Sequence, residues 1–345
     1  MKDDPIARAD LVNDTAAQNA VPSRISRPRR LLQILWKAAL IIVLIWLVGD
    51  FIYSRVVLYQ LDCYEQSLTW DANGIRRGED AFEVGAGETA ILLVHGINFS
   101  PVAYRTLAPE LAHRGFTCRA MRLPGFGMHV REYAQYEYPI WVAAIDQEVQ
   151  SLAAKHQRVI VVAHSLGAAV ALRYLAEHNS SIAGIVLIAP AIEVSNKRSP
   201  VFSTRFWHEF SNRTLLSTRI VLSPFPYDMH DLVAVKTIPQ KQFTPRPIVD
   251  QTFSMIDQNR GLAPRFQVPL LMILSPTDQV IDSSAAEAYF KAWGTPEKRL
   301  VWQERAAHMI PLDYDWELAT AAIAEFAQAR SAADKLTEAP HESAK

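Results

Sequence analysis

Hydrophobic positions along this chain follow three different rhythms. The first is a run that is apolar on every helical face: LLQILWKAALIIVLIWLV, residues 31–48, is interrupted only by Gln33 and Lys37. Its length fits one passage through a bilayer, with Trp36 and Trp46 near its ends and Lys37 able to reach the headgroups. A buried core helix is rarely apolar all round. A cleaved signal peptide would need a small-x-small site, which the exit GDFIYSR lacks. The pattern therefore predicts an uncleaved anchor over residues 31–52, preceded by a polar, aperiodic and disordered stretch, residues 1–30.

The second rhythm alternates short apolar runs with helical periodicity over residues 60–192. EQSLTW and DAFEV flank DANGIRRGE and predict a β-hairpin. TAILLVHG, FTCRAMRL, RVIVVAH and IAGIVLIAP read as buried strands. VAYRTLAPELAHRG, WVAAIDQEVQSLAAKH and SLGAAVALRYLAEH read as helices between them. Continuous apolar strands alternating with helices predict an α/β fold, a mostly parallel sheet covered on both faces.

The third rhythm is irregular. Residues 193–266 carry prolines at 200, 224, 226, 239, 245, 247 and 264 and no strong strand signal. An insertion of this length after a sheet strand predicts a lid over the carboxyl edge, where open α/β sheets bind ligands. Alternation resumes over 267–332 with VPLLMILSPTD, SSAAEAYFKAW, KRLVWQE and YDWELATAAIAEFAQAR. The tail 333–345 is polar and expected to fray.

Composition narrows the class. In 345 residues, half of them hydrophobic, the net charge is −1, which argues against a nucleic-acid partner. The two cysteines, Cys63 and Cys118, have no neighbours at metal-ligand spacing, so no metal is expected. A Cys63–Cys118 disulfide stays open on sequence grounds, with a free buried thiol preferred at Cys118. Arg24, Arg27, Arg29 and Arg30 precede the apolar run and only Arg55 follows closely. That asymmetry predicts a cytoplasmic N-terminus and a C-terminal domain outside, in the periplasm if the source is Gram-negative.

Candidate chemistry centres on Ser165, at the end of RVIVVAH and the start of SLGAAVALRY. A serine on a strand-turn-helix, with small residues two positions before and after, is the arrangement of a nucleophile elbow. Here those residues are Ala163 and Gly167. The competing reading is a serine that merely caps the helix. A serine hydroxyl needs a base, and the base needs an orienting acid; on an elbow they follow in the order Ser, Asp or Glu, His. Asp278 falls after the strand of VPLLMILSPTD and His308 after the last strand, in QERAAHM. Asp282 is a rival acid, better placed to cap SSAAEAYF. The oxyanion would be received by the amides of Leu166 and of Ile97 in ILLVHGINFS, where Gly96 permits close approach. Asn98 either adds a side-chain hydrogen bond or shapes the turn. His95 and His164 read as supports for their own loops.

These motifs resemble the α/β-hydrolase superfamily over roughly residues 64–330, and within it the carboxylesterase and monoacylglycerol-lipase-like branch. LLVHGINFSP and AYRTLAPELAHRGFTCRAMRLPGFG are similar to that branch's first half, although Phe126 stands where histidine is common. The resemblance implies Ser165 as nucleophile, Asp278 as orienting acid, His308 as general base, a lid that shapes the acyl pocket, and no metal or organic cofactor. The expected partner is a small-molecule ester, lipophilic given the anchor and the lid residues Phe202, Phe206, Trp207, Phe210, Phe225 and Tyr227. Those aromatics could equally serve to hold the lid on the body. A peptidase or acyltransferase on the same triad, or a non-catalytic membrane-tethered binding protein, are the alternatives.

Overall fold

The computed structural model of this chain describes residues 26–178, 182–199, 201–238 and 242–332. The disorder expected of residues 1–25 and the polar tail 333–345 lie outside them. The chain divides after Gly49 into two units.

Helix α1 runs from Ser26 to Gln66. Residues 29–49 are exposed throughout, and the helix is long and apolar enough to cross a membrane, with a mean hydropathy of 2.4 in its most apolar window. None of this window is buried. The helix extends past both ends of the 31–52 segment expected to anchor the chain. Residues 26–30 are helical, and beyond Asp50 the helix changes character instead of stopping. There Val57 and Leu61, spaced i,i+4 on one face, are buried against Ile220 and Phe243 of the second unit. Full burial of two such side chains contributes about 1.5–3 kcal/mol each. Asp50, Arg55 and Asp62 interrupt the apolar run, and this concealed an amphipathic continuation.

The second unit then proceeds through β1 (Phe82–Val84), β2 (Thr89–Val94), α2 (Leu107–His113), β3 (Thr117–Met121), α3 (Val130–Tyr133), α4 (Tyr138–Ala153), β4 (Arg158–His164), α5 (Leu166–Glu177) and β5 (Gly184–Ile188). The lid contributes α6 (Thr204–Thr214), β6 (Ile220–Leu222), α7 (Leu232–Val235), β7 (Phe243–Pro245) and α8 (Arg246–Asn259). β8 (Leu270–Leu274), α9 (Ser283–Ala292), β9 (Lys298–Trp302) and α10 (Trp316–Ala332) complete the unit.

Among the described residues the strands form a seven-stranded sheet of order β1-β3-β2-β4-β5-β8-β9, parallel except for β1. β2, β5 and β8 are buried along their whole length, as continuous apolar strands covered on both faces require. The predicted parallel α/β sheet is therefore present.

Three local expectations fail. EQSLTW and DAFEV do not pair as a hairpin: Glu65 and Gln66 end α1, Trp70 makes only a single bridge to Arg76, and Phe82–Val84 pairs antiparallel with β3. The Asp71 carboxylate accepts from the amides of Asn73 and Ile75 and closes a tight turn, which turns the chain back before a ladder can form. The helix expected over 102–115 splits into a 3-10 turn, Pro101–Tyr104, and α2. The insertion is also more regular than its prolines suggest: α6 is capped by Ser203, and β6 and β7 pair antiparallel.

Candidate active site

β4 ends at His164, and Ser165 turns the chain into α5 with φ 53° and ψ −118°, a left-handed backbone that a non-glycine residue adopts only under constraint. The turn is tight on all sides. A Cβ at Gly167 would lie 2.4 Å from the His95 carbonyl oxygen, and one at Gly96 would lie 3.0 Å from the Ser165 Cβ. These two glycines allow β2, its loop and α5 to meet at the serine. The Ser165 hydroxyl makes no cap hydrogen bond to α5, which removes the helix-cap reading.

That hydroxyl lies instead 3.0 Å from His308 Nε2, and His308 Nδ1 lies 2.8 Å from Asp278 Oδ2. A carboxylate can only accept, so Nδ1 carries the proton and Nε2 is left as the acceptor for Ser165 Oγ–H. Asp278 is fully buried, while Ser165 and His308 are 4% and 5% exposed. The other Asp278 oxygen accepts from the amides of Val280 and Ile281. Burial pushes the Asp278 pKa up, but the electrostatic interaction and hydrogen bond with the His308 ring, together with those two amides, outweigh it and hold the carboxyl below its ordinary value. Asp282, the rival, accepts from Ser284 and Ala285 as the N-cap of α9.

Two buried histidines frame the site without entering it. His95 Nδ1 donates to the Gly96 carbonyl at 3.0 Å, and its Nε2 accepts from the Leu123 amide. His164 Nε2 donates to the His308 carbonyl at 3.1 Å, which leaves its buried Nδ1 without a partner. Burial lowers their pKa values to about 4 and about 3 respectively, so both rings are neutral at physiological pH.

Leu166 is the first residue of α5, and Ile97 sits in the turn closed by the Phe99 amide on the Gly96 carbonyl. Among the described residues neither amide has an intramolecular acceptor. Asn98 holds φ 56° in this turn, and its side chain donates to Thr244 Oγ1 in the lid at 2.7 Å. It shapes the loop and ties it outward.

Sequence reasoning missed Asp228. From the lid, its Oδ2 accepts from the amides of Gln279 and His308, while its Oδ1 pairs with Arg198 at 3.1 Å. One carboxylate thus joins the loops bearing Asp278 and His308. Fully buried Asp313 does similar service below it, accepting from the amides of Ala307, His230 and Asp231. A lone lid aspartate gives no sequence signal of such a role.

A recess of about 70 Å³ opens beside the Ile97 turn, between Asn98, Phe99, Tyr227, Phe243, Tyr64 and Trp70. Ser165 and His308 are not in its walls. The buried Tyr133 hydroxyl on its margin has no hydrogen-bond partner. The lid aromatics divide. Tyr227 packs edge-on against Phe99 at 4.9 Å, whereas Phe202, Phe206, Trp207 and Phe210 cluster with one another as exposed side chains and Phe225 is also exposed. Both thiols are free: Cys63 is exposed and Cys118 buried.

The model of the Hydrolase_4 family, described as serine aminopeptidase S33, matches residues 86–315. A thermostable monoacylglycerol lipase of Bacillus sp. (strain H-257) is 26% identical over 69% of this chain and 90% of its own. A carboxylesterase of Bacillus subtilis (strain 168) is 22% identical over 71% of this chain and 94% of its own. The crystal structure of a Paleococcus ferrophilus monoacylglycerol lipase shares the fold with a TM-score of 0.62, at 21% identity over 72% of this chain and 98% of that one. The chain belongs to the Hydrolase_4, or serine aminopeptidase S33, family and is a serine hydrolase of the α/β-hydrolase fold.

Proposed function

We propose that this protein hydrolyses carboxylic esters of a lipophilic acyl group, monoacylglycerol-like or lysophospholipid-like, through an acyl-enzyme on Ser165. The observation that carries the reading is the pair of contacts at 3.0 and 2.8 Å that joins the strained Ser165 to His308 and His308 to Asp278. The names of the Bacillus relatives support an ester substrate over the peptide that the family description suggests.

In this reading His308 Nε2 takes the Ser165 proton as Oγ bonds to the ester carbonyl carbon, and the carbonyl electron pair moves onto oxygen. The amides of Ile97 and Leu166 stabilise that oxyanion, aided by the positive end of α5; each donor is worth about 3–4 kcal/mol. Asp278 steadies the imidazolium. Nε2–H then protonates the leaving alcohol as the tetrahedral carbon–oxygen bond breaks. Water then attacks the acyl carbon and gives a proton to Nε2; as the carbon–Oγ bond breaks, Nε2–H returns that proton to Oγ, releasing the acid and restoring Ser165 and neutral His308.

Exposed Phe202, Phe206 and Trp207 support work at a lipid aggregate. The apolar part of α1 is read as an uncleaved single-pass anchor, N-terminus inside and catalytic unit outside, on the arginine asymmetry of the sequence.

Hydrolysis of a p-nitrophenyl ester series of rising acyl length tests the reading. The expected result is turnover that rises into medium or long chains and falls at least a thousandfold in Ser165→Ala. Turnover of amino-acid p-nitroanilides without ester hydrolysis would replace it with the peptidase reading.

A further inference from the structure

The loop that bears Ile97 is held from its outer side by the lid. Asn98 Nδ2 donates to Thr244 Oγ1 at 2.7 Å, the Tyr227 hydroxyl donates to the Asn98 carbonyl at 3.4 Å, and Phe99 meets the Tyr227 ring. Asn98 itself takes a φ of 56°, a left-handed conformation that asparagine adopts more readily than most side chains. Thr244 lies in β7, directly opposite Val221 of β6.

That two-stranded lid sheet is in turn fixed to the later half of α1. The buried Asp50 carboxylate accepts from the amides of Ser217 and Thr218 at 2.7 and 3.2 Å and from the Thr218 hydroxyl at 2.6 Å. Ser54 donates to the Ser217 carbonyl at 2.9 Å. Val57 and Leu61 pack on Ile220 of β6 and Phe243 of β7. Arg246, immediately after β7, closes the corner by donating to the carbonyls of Leu215 and Thr218, both at 2.7 Å. An unbroken series of short contacts therefore leads from Asp50 through Thr218, β6, β7 and Thr244 to Asn98, one residue from Ile97.

We propose that Asp50, Thr218 and Thr244 are positioning residues for the oxyanion loop: the α1 segment from Asp50 to Leu61 holds the lid sheet, and the lid sheet holds the Ile97 amide at the distance an oxyanion requires. This rests on the ester-hydrolase reading above and on Ile97 as the donor. A lid in this protein is then more than a cover; it is the outer half of the mould that shapes the hole. A positioning role predicts loss in the transition state alone. A donor displaced by a fraction of an ångström stabilises the ground state as before and the oxyanion less.

The test is steady-state hydrolysis of a p-nitrophenyl ester by the full-length protein in detergent micelles. Thr244→Val, which keeps shape and removes the acceptor for Asn98, is expected to lower kcat about tenfold with KM within twofold, and Thr244→Ser is expected to restore it. Asp50→Asn is expected to lower kcat less, and Asp50→Asn combined with Thr244→Val to fall no further than Thr244→Val alone, because Thr244 is the route by which Asp50 acts. Tyr227→Phe removes one hydroxyl from the same loop without cutting into the lid sheet. It is expected to lower kcat about threefold, and this keeps the proposal testable even where Thr244→Val is recovered unfolded. Wild-type kcat in Thr244→Val and Tyr227→Phe, a change confined to KM, no recovery in Thr244→Ser, or additive losses in the double variant would each overturn the proposal. In all of these the ester-hydrolase reading survives as long as Ser165→Ala abolishes wild-type turnover; if it does not, that reading fails first.

Discussion

The His164 ring donates from Nε2 to the backbone carbonyl of His308 at 3.1 Å, so the residue before Ser165 holds the loop that carries His308. His164 is a strand residue of β4 and cannot move without the sheet, so it gives the His308 loop a rigid reference point. Replacing it with Phe removes the tether and also removes a buried nitrogen that has no partner. The two effects on stability oppose one another, at about 1 kcal/mol each. The expected outcome is a Tm within a few degrees of wild type and a kcat/KM about tenfold lower. Ester kinetics beside a thermal melt check this.

Asp228 performs a comparable task from the lid. Asp228→Ala strands the Gln279 and His308 amides and removes the ion pair with Arg198. A buried amide left unpaired costs about 1–3 kcal/mol. The variant is expected to lose both stability and at least tenfold in kcat. Arg198→Ala, which leaves the two amides paired, is expected to lose less than threefold. Equal losses in the two variants would contradict this division.

The pH dependence of stability follows from the two framing histidines. Burial lowers their folded-state pKa values to about 4 for His95 and about 3 for His164, against about 6.5 in an unfolded chain. Between those limits the unfolded chain binds more protons, so stability is fully present above pH ~6.5 and is lost as the pH falls toward 4 and below. His95 alone accounts for about 3 kcal/mol over that window. The lowered pKa of Asp278 acts in the same direction at still lower pH. Thermal melts from pH 7.5 to 4.5 should show a steady fall in Tm, and a flat profile would contradict the burial of both rings as neutral groups.

The thiols should separate cleanly. Cys118 lies in β3 with its pKa pushed up by burial to about 12, while Cys63 is exposed. A maleimide is expected to modify Cys63 alone in the folded protein and both residues in denaturant. Modification of Cys118 without denaturant would mean that β3 opens.

What could be read from the sequence, and what could not, divides along physical lines. The sheet strands and the positions of Ser165, Asp278 and His308 were legible because each depends on local pattern: apolar runs, small residues around a turn, and polar residues just past a strand. α1 beyond Asp50 was not, because its partners Ile220 and Phe243 lie far along the chain in a region whose prolines mask short strands. Asp228 was not, because a carboxylate that binds backbone amides needs no motif on either side. The hairpin around DANGIRRGE was misread because alternation alone cannot tell which neighbour a strand will find; Phe82–Val84 found β3. The exposure of Phe206 and Trp207 was hidden for a similar reason, since aromatic content does not report which side chains a lid leaves uncovered.

The central claim is that Ser165 is the nucleophile of an acyl-enzyme. Its most direct test is intact-mass and peptide-mass analysis of the full-length protein after reaction with a fluorophosphonate. The account predicts one adduct, mapped to the peptide containing Ser165, absent in Ser165→Ala and slowed at least a hundredfold in His308→Ala. A folded protein that takes no label, or one whose label maps to another residue and persists in Ser165→Ala, would contradict it.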